Sequence, residues 1–556
     1  MKGKVSYLGI SRLGLMFGKI LDEGEVSYYF DGRSLKKGSM NDYQTGMSVN
    51  FEIDEHKPEN AVNVEKEEIL ILSDKKDIAK DEDFFKRIME WSIEATEENS
   101  TLFCIPVELE KIKSGNVSYV IGRKGTGKTA IVKNIVNSND GDEKSLTLSF
   151  KDFPFNLIYE CTDRDYVQPN QYISVWQYII YYKLSILILE SEKLDKKTAN
   201  TLKKLLVPAD EKVRKLMNRI NEISLGVSVL GNGANFGLSR DETNITWTEQ
   251  TQLLKGIISS LSLKNRYYIL FDELDEDYKA FRDTNEKDSY ISMLTSLFKS
   301  VQYIRRYLKS QAKNIIPLVF LRTDIYKQLS DSDKNKWREH LVELEWNTDK
   351  IKTIFSHRIH CSYCDDECVD ADLNFDTEFR RIFKDLYVDY GNNKGKRIST
   401  FAYITRSTQW RPRDYIQYIK ICVQMAIEQH SNYVTSEMVK SADDKFSEYL
   451  KQEIIDEIFP VIPQIQETLS ILSIIRKQTF NPNIFIEEYN KEVKMGNIDD
   501  RGAESVLKLL FEYNIIGNQP SMKDQLVFKY IFKDAKFNLK ENMCVHRGLY
   551  KALQIF

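Results

Sequence analysis

The chain has 556 residues, of which 42% are hydrophobic and 29% charged, and its formal net charge is −4. This composition is typical of a soluble globular protein of three or four domains, and it excludes a polyelectrolyte that binds nucleic acid along its whole length. Without a membrane-length apolar run, a signal-peptide core or a disulfide framework, the chain is expected to be cytoplasmic and to have no membrane partner.

Residues 1–66 predict a small five-stranded β-barrel, because short apolar runs alternate with glycine-rich turns. The strand order resembles the cold-shock domain, an oligonucleotide-binding (OB) barrel. Residues 16–20 (MFGKI) resemble the first RNA-binding motif of that family, and residues 26–30 (VSYYF) resemble the second. The resemblance implies Phe17, Tyr29 and Phe30 as base-stacking residues for DNA or RNA.

Two observations weaken a nucleic-acid role for this barrel. Lys19 and Ser27 stand where the family has aromatic residues, and residues 1–66 hold nine Lys/Arg against ten Asp/Glu. Barrel aromatics that simply pack in the core, or a barrel that docks a protein, are therefore the alternatives. Residues 67–100 then predict a charged linker and an amphipathic helix that packs on the module that follows.

Residues 117–136 predict a strand, a glycine-rich loop and a helix, and the loop fits G-x-x-x-x-G-K-[ST]. Glycines let backbone N–H groups surround phosphate oxygens, and a helix N-terminus adds positive potential. Lys128 can reach the β- and γ-phosphates, and Thr129 can bind Mg²⁺. The pattern predicts ATP and Mg²⁺ as cofactors, a chance glycine loop being the alternative. The predicted nucleotide-binding residues here are Gly122, Arg123, Lys124, Gly125, Thr126, Gly127, Lys128, Thr129 and Ala130.

A second nucleotide motif is the apolar strand at residues 267–273, which ends in two carboxylates. Asp272 stands where an aspartate orders Mg²⁺, and Glu273 stands where a base polarises the attacking water. A strand that ends in a solvated acidic turn is the alternative. Between the two motifs, residues 172–189 predict an apolar core helix, and residues 190–245 predict an insertion that includes a hairpin near residues 225–238.

The strand predicted at residues 315–321 ends in Arg322 and Thr323. Ligands of open parallel sheets bind beyond the carboxyl ends of the strands, so these two residues are predicted to face the γ-phosphate as a sensor. Arg322 could instead pair with Asp324 or with an acidic residue of the 272–277 cluster.

Four motifs in order, GRKGTGKTA, FDELDE, FLRTDIY and RPRD, resemble a bacterial family of P-loop ATPases. The family belongs to the additional-strand class, which includes AAA+ and STAND proteins. The resemblance runs from about residue 103 to the C-terminus. It implies an α/β P-loop NTPase core with a parallel sheet, a helical lid and a C-terminal winged helix. It also implies an ATP-driven switch in bacterial signalling or anti-phage defence.

These patterns divide the remaining chain into an ATPase core at residues 101–346, a lid at 347–455 and a winged helix at 456–556. In the lid, Pro412 suits the first turn of a helix. Arg411 and Arg413 beside it could reach the nucleotide as a second sensor, or pair with Asp414 at the surface. Arg338 could serve a neighbouring subunit as an arginine finger, or be a surface charge.

Two further features leave alternatives open. His357, Cys361, Cys364 and Cys368 have offsets that suit one helical face, and C-x₂-C is a zinc spacing. Because the usual second pair is missing, reduced cysteines in a loop are the alternative. Residues 523–551 hold seven Lys/Arg against three Asp/Glu, which fits either a nucleic-acid surface or a solvated face.

The sequence thus predicts a Mg²⁺-dependent ATP hydrolase whose barrel and winged helix sense DNA, RNA or a protein effector, with a homo-oligomer as a further possibility. The alternative is an ATP-binding scaffold with little turnover. A processive nucleic-acid motor ranks last, because no strand-tracking residues are recognisable.

Overall fold

The computed structural model describes residues 1–10, 16–22, 26–31, 33–36, 48–54, 57–66, 82–93, 107–138, 141–151, 155–161, 170–208, 210–222, 224–225, 245–275, 284–364, 373–389, 397–520 and 526–555. The chain divides into two compact units, residues 1–81 and 82–556. The predicted linker at residues 73–80, most of the predicted hairpin at residues 225–238, and Cys368 lie outside the described residues.

The first unit is an antiparallel sheet in the order β3-β2-β1-β4-β5. Its strands are β1 (Lys2–Ile10), β2 (Met16–Asp22), β3 (Ser27–Asp31), β4 (Ser48–Ile53) and β5 (Ala61–Lys66). Isolated bridges from Tyr29 to Asn60 and from Leu35 to Val64 connect the two edges, so the sheet curls into a barrel-like shape.

Alternation along β3 corrects one predicted nucleic-acid contact. Phe30 is 0% exposed and packs with Val5, Ile20 and Phe51 in the core of this unit, so a base cannot stack on its ring. Tyr29 points the other way and is 38% exposed, because successive side chains of a strand face opposite sides. The side chain of Phe17 lies outside the described part of the chain.

The second unit is built on a six-stranded sheet in the order β11-β6-β10-β9-β7-β8. Its strands are β6 (Tyr119–Gly122), β7 (Glu143–Ser149), β8 (Ser224–Leu225), β9 (Arg266–Asp272), β10 (Ile315–Arg322) and β11 (Leu341–Leu344). All neighbours pair in parallel except β7 and β8. Strand β10 lies between the strand of the glycine loop and the strand that ends in Asp272, which is the additional-strand arrangement of a P-loop ATPase fold.

Helices cover both faces of this sheet. The helices that precede the lid are α1 (Glu82–Met89), α2 (Val107–Lys113), α3 (Lys128–Asn137), α4 (Asn156–Tyr159), α5 (Ile173–Ser191), α6 (Lys196–Leu205), α7 (Glu211–Glu222), α8 (Trp247–Ser260), α9 (Thr284–Ser310), α10 (Thr323–Gln328) and α11 (Lys334–Arg338). One helix, over Asn170–Ser191, is long and apolar enough to cross a membrane, but 72% of its apolar window is buried inside the fold. Its contacts with α8 and α9 agree with the predicted core helix.

The lid region contains α12 (Thr348–Tyr363), α13 (Phe375–Phe379), β12 (Tyr387–Asp389), β13 (Arg397–Ser399), α14 (Thr400–Thr405), α15 (Pro412–Glu428) and α16 (Ser436–Ile458). Pro412 occupies the first turn of α15, as its fixed φ favours. Helix α1 packs on this region: Trp91 just beyond it donates to the Ser362 hydroxyl at 2.9 Å, and Lys420 donates to the Trp91 carbonyl at 2.8 Å. The amphipathic helix predicted to pack on the ATPase module therefore contacts its lid helices.

The described residues after α16 form three α-helices and a small antiparallel sheet in the order β14-β16-β15. The elements are α17 (Ile465–Ile475), β14 (Thr479–Phe480), α18 (Pro482–Met495), α19 (Ala503–Glu512), β15 (Ile516–Gln519) and β16 (Asn542–Val545). Their buried side chains join those of the lid in one continuous hydrophobic core, so the lid and this C-terminal subdomain pack as one body.

Candidate nucleotide-binding site

The loop between β6 and α3 takes its shape from three glycines. Gly125 and Gly127 have φ values of +78° and +89°, where a side chain is disfavoured. A β-carbon on Gly122 would lie 2.4 Å from the Thr126 hydroxyl oxygen. Helix α3 begins at Lys128, directly after Gly127. The loop therefore has the backbone that a phosphate cradle needs at the N-terminus of a helix.

Lys128 lies across the inside of this loop. Its ammonium group donates to the carbonyl oxygens of Gly122 and Arg123, each at 3.1 Å. Burial lowers the pKa of Lys128, whereas the Asp275 and Asp272 carboxylates favour its charged form. A buried ammonium group beside a glycine cradle is suited to hold the terminal phosphates of a nucleotide.

Asp272 lies beside the loop at the carboxyl end of β9. Its carboxylate is buried, and the nearby Thr129 side chain acts to lower its pKa. Burial, and then the charge of Glu273, raise the pKa of Asp272 to about 6. An oxygen pair of this kind, a carboxylate and a hydroxyl next to a phosphate cradle, fits a Mg²⁺ ion bound together with a nucleotide. Ala130 follows Thr129 in the first turn of α3.

Glu273 has an unusual backbone and a defined partner. Its φ is +56°, in the left-handed region that non-glycine residues rarely adopt and that clusters at functional sites. Its carboxylate accepts a hydrogen bond from the Ser149 hydroxyl. Ser149 ends the neighbouring strand β7 and pairs in register with Asp272. Sequence reasoning missed Ser149, although its position at the end of the first strand after the loop was a usable signal.

Arg322 forms ion pairs with carboxylates, which is the alternative to a sensor role that the sequence left open. It is 2% exposed and donates to Asp324 at 2.7 and 3.1 Å, and its guanidinium group lies 3.6 Å from Asp275. Burial alone would lower the pKa of Arg322, but these carboxylates outweigh it and raise the pKa. Thr323 begins α10 directly after it. The predicted sensor position is therefore filled by a paired arginine at the end of β10.

Arg411 and Arg413 differ in what they contact. Arg411 is 1% exposed and pairs with Asp414 at 2.9 Å and Glu457 at 3.3 Å, so the predicted Arg–Asp pair is buried rather than at the surface. Arg413 packs against the loop. A β-carbon built on Gly125 would lie only 3.4 Å from the Arg413 β-carbon. Of the two, Arg413 is the arginine in contact with the glycine loop.

Further side chains tie the loop to the lid and to the end of the sheet. Lys124 and Arg413 share the Glu453 carboxylate of α16, at 3.5 and 3.1 Å. Arg123 donates to the side chain and the backbone carbonyl of Gln409.

The indole of Trp346, beyond β11, donates to the Thr126 carbonyl at 3.1 Å. No sequence motif pointed to Glu453, Gln409 or Trp346, because each contacts a loop residue more than two hundred positions away in the sequence.

The cysteine cluster lies at the C-terminal end of α12. Cys361 is disulfide-bonded, and Cys364 is a free thiol. No group of three or more His, Cys, Asp or Glu among the described residues could hold a metal ion. Arg338 ends α11 and is exposed, which is compatible with both of its predicted roles.

Comparisons with known proteins give distant similarities. The family described as the FunZ-associated C-terminal helical domain matches residues 366–455, within the lid. A putative transposon gamma-delta 80.3 kDa protein of Escherichia coli (strain K12) is 22% identical over 491 residues, which is 80% of this chain and 63% of that protein. The chain therefore spans less than two thirds of the length of this curated relative.

Three solved structures match most of this chain at low sequence identity. The Aeropyrum pernix ORC1 protein in complex with DNA is 11% identical with a TM-score of 0.35, and the match covers 82% of this chain and 95% of that chain. The Aeropyrum pernix ORC2 protein in ADPNP–ADP complexes is 13% identical with a TM-score of 0.34, covering 80% and 88%. Cdc6p from Pyrobaculum aerophilum is 11% identical with a TM-score of 0.30, covering 82% and 96%.

Proposed function

We propose that this protein is a Mg²⁺-dependent ATPase that works as a nucleotide-driven switch. The observation that carries the proposal is the contact between Thr129, at the start of α3, and Asp272, at the end of β9. It brings the phosphate cradle and the acidic strand end next to each other, although they are far apart in the sequence. A nucleoside triphosphate is bound through its phosphates and its cation, so its site needs the cradle and the carboxylate together.

Each of these residues then has a chemical role. The loop N–H groups and Lys128 bind the β- and γ-phosphates, and Thr129 and Asp272 hold Mg²⁺. A Mg²⁺ ion held by these two residues would supply positive charge that offsets the phosphate charge as the γ-phosphoryl group is transferred to water. Glu273 accepts the proton of the attacking water, and Ser149 orients the Glu273 carboxylate.

The ion pairs between the phosphate loop and the lid support a switch, because a bound nucleotide would change their partners. Lys124 of the loop and Arg413 of the lid pair with the same carboxylate oxygen of Glu453. A phosphate in the cradle would compete with Glu453 for both cations, so binding would shift the lid relative to the loop. Tyr513 of the C-terminal subdomain donates to Asp324 at 3.3 Å, and Asp324 also pairs with Arg322. This chain of contacts links the predicted sensor to the C-terminal subdomain.

The flanking parts supply the input or output in this proposal. The order helix, strand, two helices and two strands after residue 464 supports a winged helix. The barrel-like first unit supports a cold-shock-like domain, with Tyr29 and Phe17 as its contacts for DNA or RNA. A bacterial signalling or anti-phage role, which rests on the motif resemblance alone, completes the proposal together with a protein effector or homo-oligomer and a cytoplasmic location.

The second candidate is an ATP-binding scaffold with little turnover. It is favoured by Arg322, which is satisfied by Asp324 and Asp275, and by Glu273, which is held by Ser149. In this candidate Arg322 stays with its carboxylates and does not reach a γ-phosphate, and the Glu273 carboxylate stays bound to Ser149 and does not activate water.

Phosphate release separates the two candidates. Wild-type protein should release phosphate from Mg-ATP, and Glu273→Gln should abolish release while it retains binding of a fluorescent ATP analogue. Binding without release, in the presence and absence of single-stranded DNA or RNA, would favour the scaffold. Absence of nucleotide binding would reject both.

A further inference from the structure

A cavity of about 1050 Å³ lies between the lid and the C-terminal subdomain. Helix α14 contributes Tyr403, and Arg406 follows directly after that helix. The segment before α15 contributes Trp410, and the turn after β16 contributes Arg547 and Tyr550. The lining residues of this cavity differ from the residues of the ATP site, so it is a separate place for a ligand.

The cavity combines positive charge with aromatic rings. Its charged lining residues are four cations, Arg406, Lys440, Arg547 and Lys551, and two carboxylates, Asp389 and Asp443. Its aromatic lining residues include Tyr403, Trp410, Phe528, Tyr530 and Tyr550. Cations bind phosphate, and aromatic and guanidinium planes stack on a base, so this lining suits a nucleotide.

Contacts with a buried carboxylate hold two walls of the cavity in place. Asp443 is buried, and one of its oxygens accepts from the Tyr403 hydroxyl at 2.8 Å and from Arg547 at 3.5 Å. Tyr403 comes from the lid and Arg547 from the C-terminal subdomain. The guanidinium carbon of Arg547 lies 4.9 Å from the centroid of the Tyr550 ring, and that of Arg406 lies 3.8 Å from the centroid of the Tyr403 ring. Groups fixed in this way are preorganised for a planar, anionic ligand.

Close backbone packing defines the same junction. A β-carbon on Gly548 would lie 2.1 Å from the Ser407 carbonyl oxygen and 2.6 Å from a methyl group of Leu450. Only glycine therefore lets the turn that carries Arg547 approach the lid this closely.

Trp410 links this cavity to the phosphate loop. The φ of Trp410 is +55°, a strained value for a bulky residue. Trp410 lines this cavity and also a different cavity, which lies beside the phosphate loop. The residue before it, Gln409, bonds to Arg123 of the loop, and the residue after it, Arg411, is buried among carboxylates. A ligand that moves Trp410 would therefore act on the loop through its immediate neighbours.

We propose that this cavity binds a nucleotide unit, with its base against the aromatic wall and its phosphate held by Arg406 and Arg547. The unit is a free nucleotide or the end of a single-stranded nucleic acid, since both present the same base and phosphate. The site is additional to the Mg-ATP site, and its occupancy is transmitted through residues 409–411.

Photo-crosslinking of the full chain without added ATP tests the site directly, because mapping of the crosslinked peptides separates this cavity from the phosphate loop. The probes are 8-azido-AMP and a single-stranded oligodeoxythymidine that carries 5-iododeoxyuridine, and crosslinked peptides are mapped by mass spectrometry. Crosslinks at Tyr403, Trp410 or Tyr550 are expected with at least one probe, and the probe that reacts identifies the source. Crosslinks with neither probe at these positions would overturn the proposal.

Matched variants test the phosphate contacts. Arg406→Gln with Arg547→Gln should reduce the crosslink yield about tenfold or more, because charge-assisted contacts to phosphate are lost. Arg406→Gln alone leaves the Asp443 bonds intact and should give a smaller loss in a folded protein. Lys508→Gln, an exposed cation of α19 outside the cavity lining, is the control and should change nothing. Unchanged yield in the folded double variant would contradict the proposal. ATP hydrolysis by the same preparations reports separately on the first site.

Discussion

The phosphate loop and the lid surface that covers it are built by different means. The loop is held by its own backbone, through glycines with positive φ and a helix that begins at Lys128. The lid surface is held by charged side chains, of which Glu453 and Arg413 are in direct contact. Backbone geometry is difficult to alter, whereas an ion pair exchanges partners when a new charge arrives. This difference suits the loop to binding and the lid to responding.

The largest expected effect is on the rate of ATP hydrolysis at the phosphate-loop site. Glu273→Gln should reduce the rate of ATP hydrolysis by about 10²–10⁴-fold, since it removes the proposed general base. ATP affinity should change little, because the cradle and Lys128 remain. Steady-state phosphate release and a binding titration check both statements. A variant that hydrolyses ATP at the wild-type rate would remove Glu273 from the mechanism.

The next effect concerns the buried ion pair of the lid. Asp414→Ala should lower the free energy of unfolding by about 3–5 kcal/mol, because it leaves the Arg411 charge buried with one of its carboxylate partners gone. Chemical denaturation measures this change. Asp444→Ala, at an exposed pair with Lys551, is the control and should cost less than about 1 kcal/mol. Equal costs for the two variants would mean that burial does not distinguish these pairs.

A pH dependence should also come from the lid and C-terminal body. Burial, and then the Arg411 and Arg123 charges, lower the pKa of His546 to about 3 in the folded protein. The unfolded chain binds the proton more readily, so this histidine makes stability fall as pH drops below about 6.5.

Between pH 7.5 and 5.5 the wild type should lose about 1 kcal/mol more unfolding free energy than His546→Leu. Denaturation midpoints at the two pH values provide the measurement. Parallel losses in the two proteins would show that His546 does not supply this dependence.

The smallest expected effect tests exchange between the two regions. Glu453→Gln should tighten ATP binding by roughly fivefold, about 1 kcal/mol, because Lys124 and Arg413 no longer have to leave a carboxylate. Fluorescent-nucleotide titration measures it, with Glu448→Gln, at an exposed pair with Lys451, as the control. Weaker binding in Glu453→Gln would instead make Glu453 a support of the bound lid.

The same contrast explains what could be read from the sequence. The cradle residues are consecutive, and Asp272 and Glu273 follow one apolar strand, so local patterns were sufficient. The lid contacts were not predictable, since Arg123 and Gln409 are separated by 286 positions and share no motif. The pairing of Arg322 with Asp324 was foreseen as an alternative.

Errors in the sequence reading also have a physical cause. Phe30 was assigned to base stacking by resemblance, whereas strand alternation turns its ring into the core next to Phe51. Counting the two-residue period along β3 would have separated Phe30 from Tyr29. The cysteine spacing suggested zinc or free thiols, but the bonded state of Cys361 depends on a partner that spacing does not reveal.

The most direct test of the central claim is the Mg²⁺ dependence of ATP binding, measured as affinity for a fluorescent ATP analogue over a Mg²⁺ titration. The account predicts that Mg²⁺ tightens binding in the wild type and that Asp272→Asn loses this gain while it retains the affinity measured without Mg²⁺. An Asp272→Asn protein whose affinity still rises with Mg²⁺ as in the wild type would contradict it.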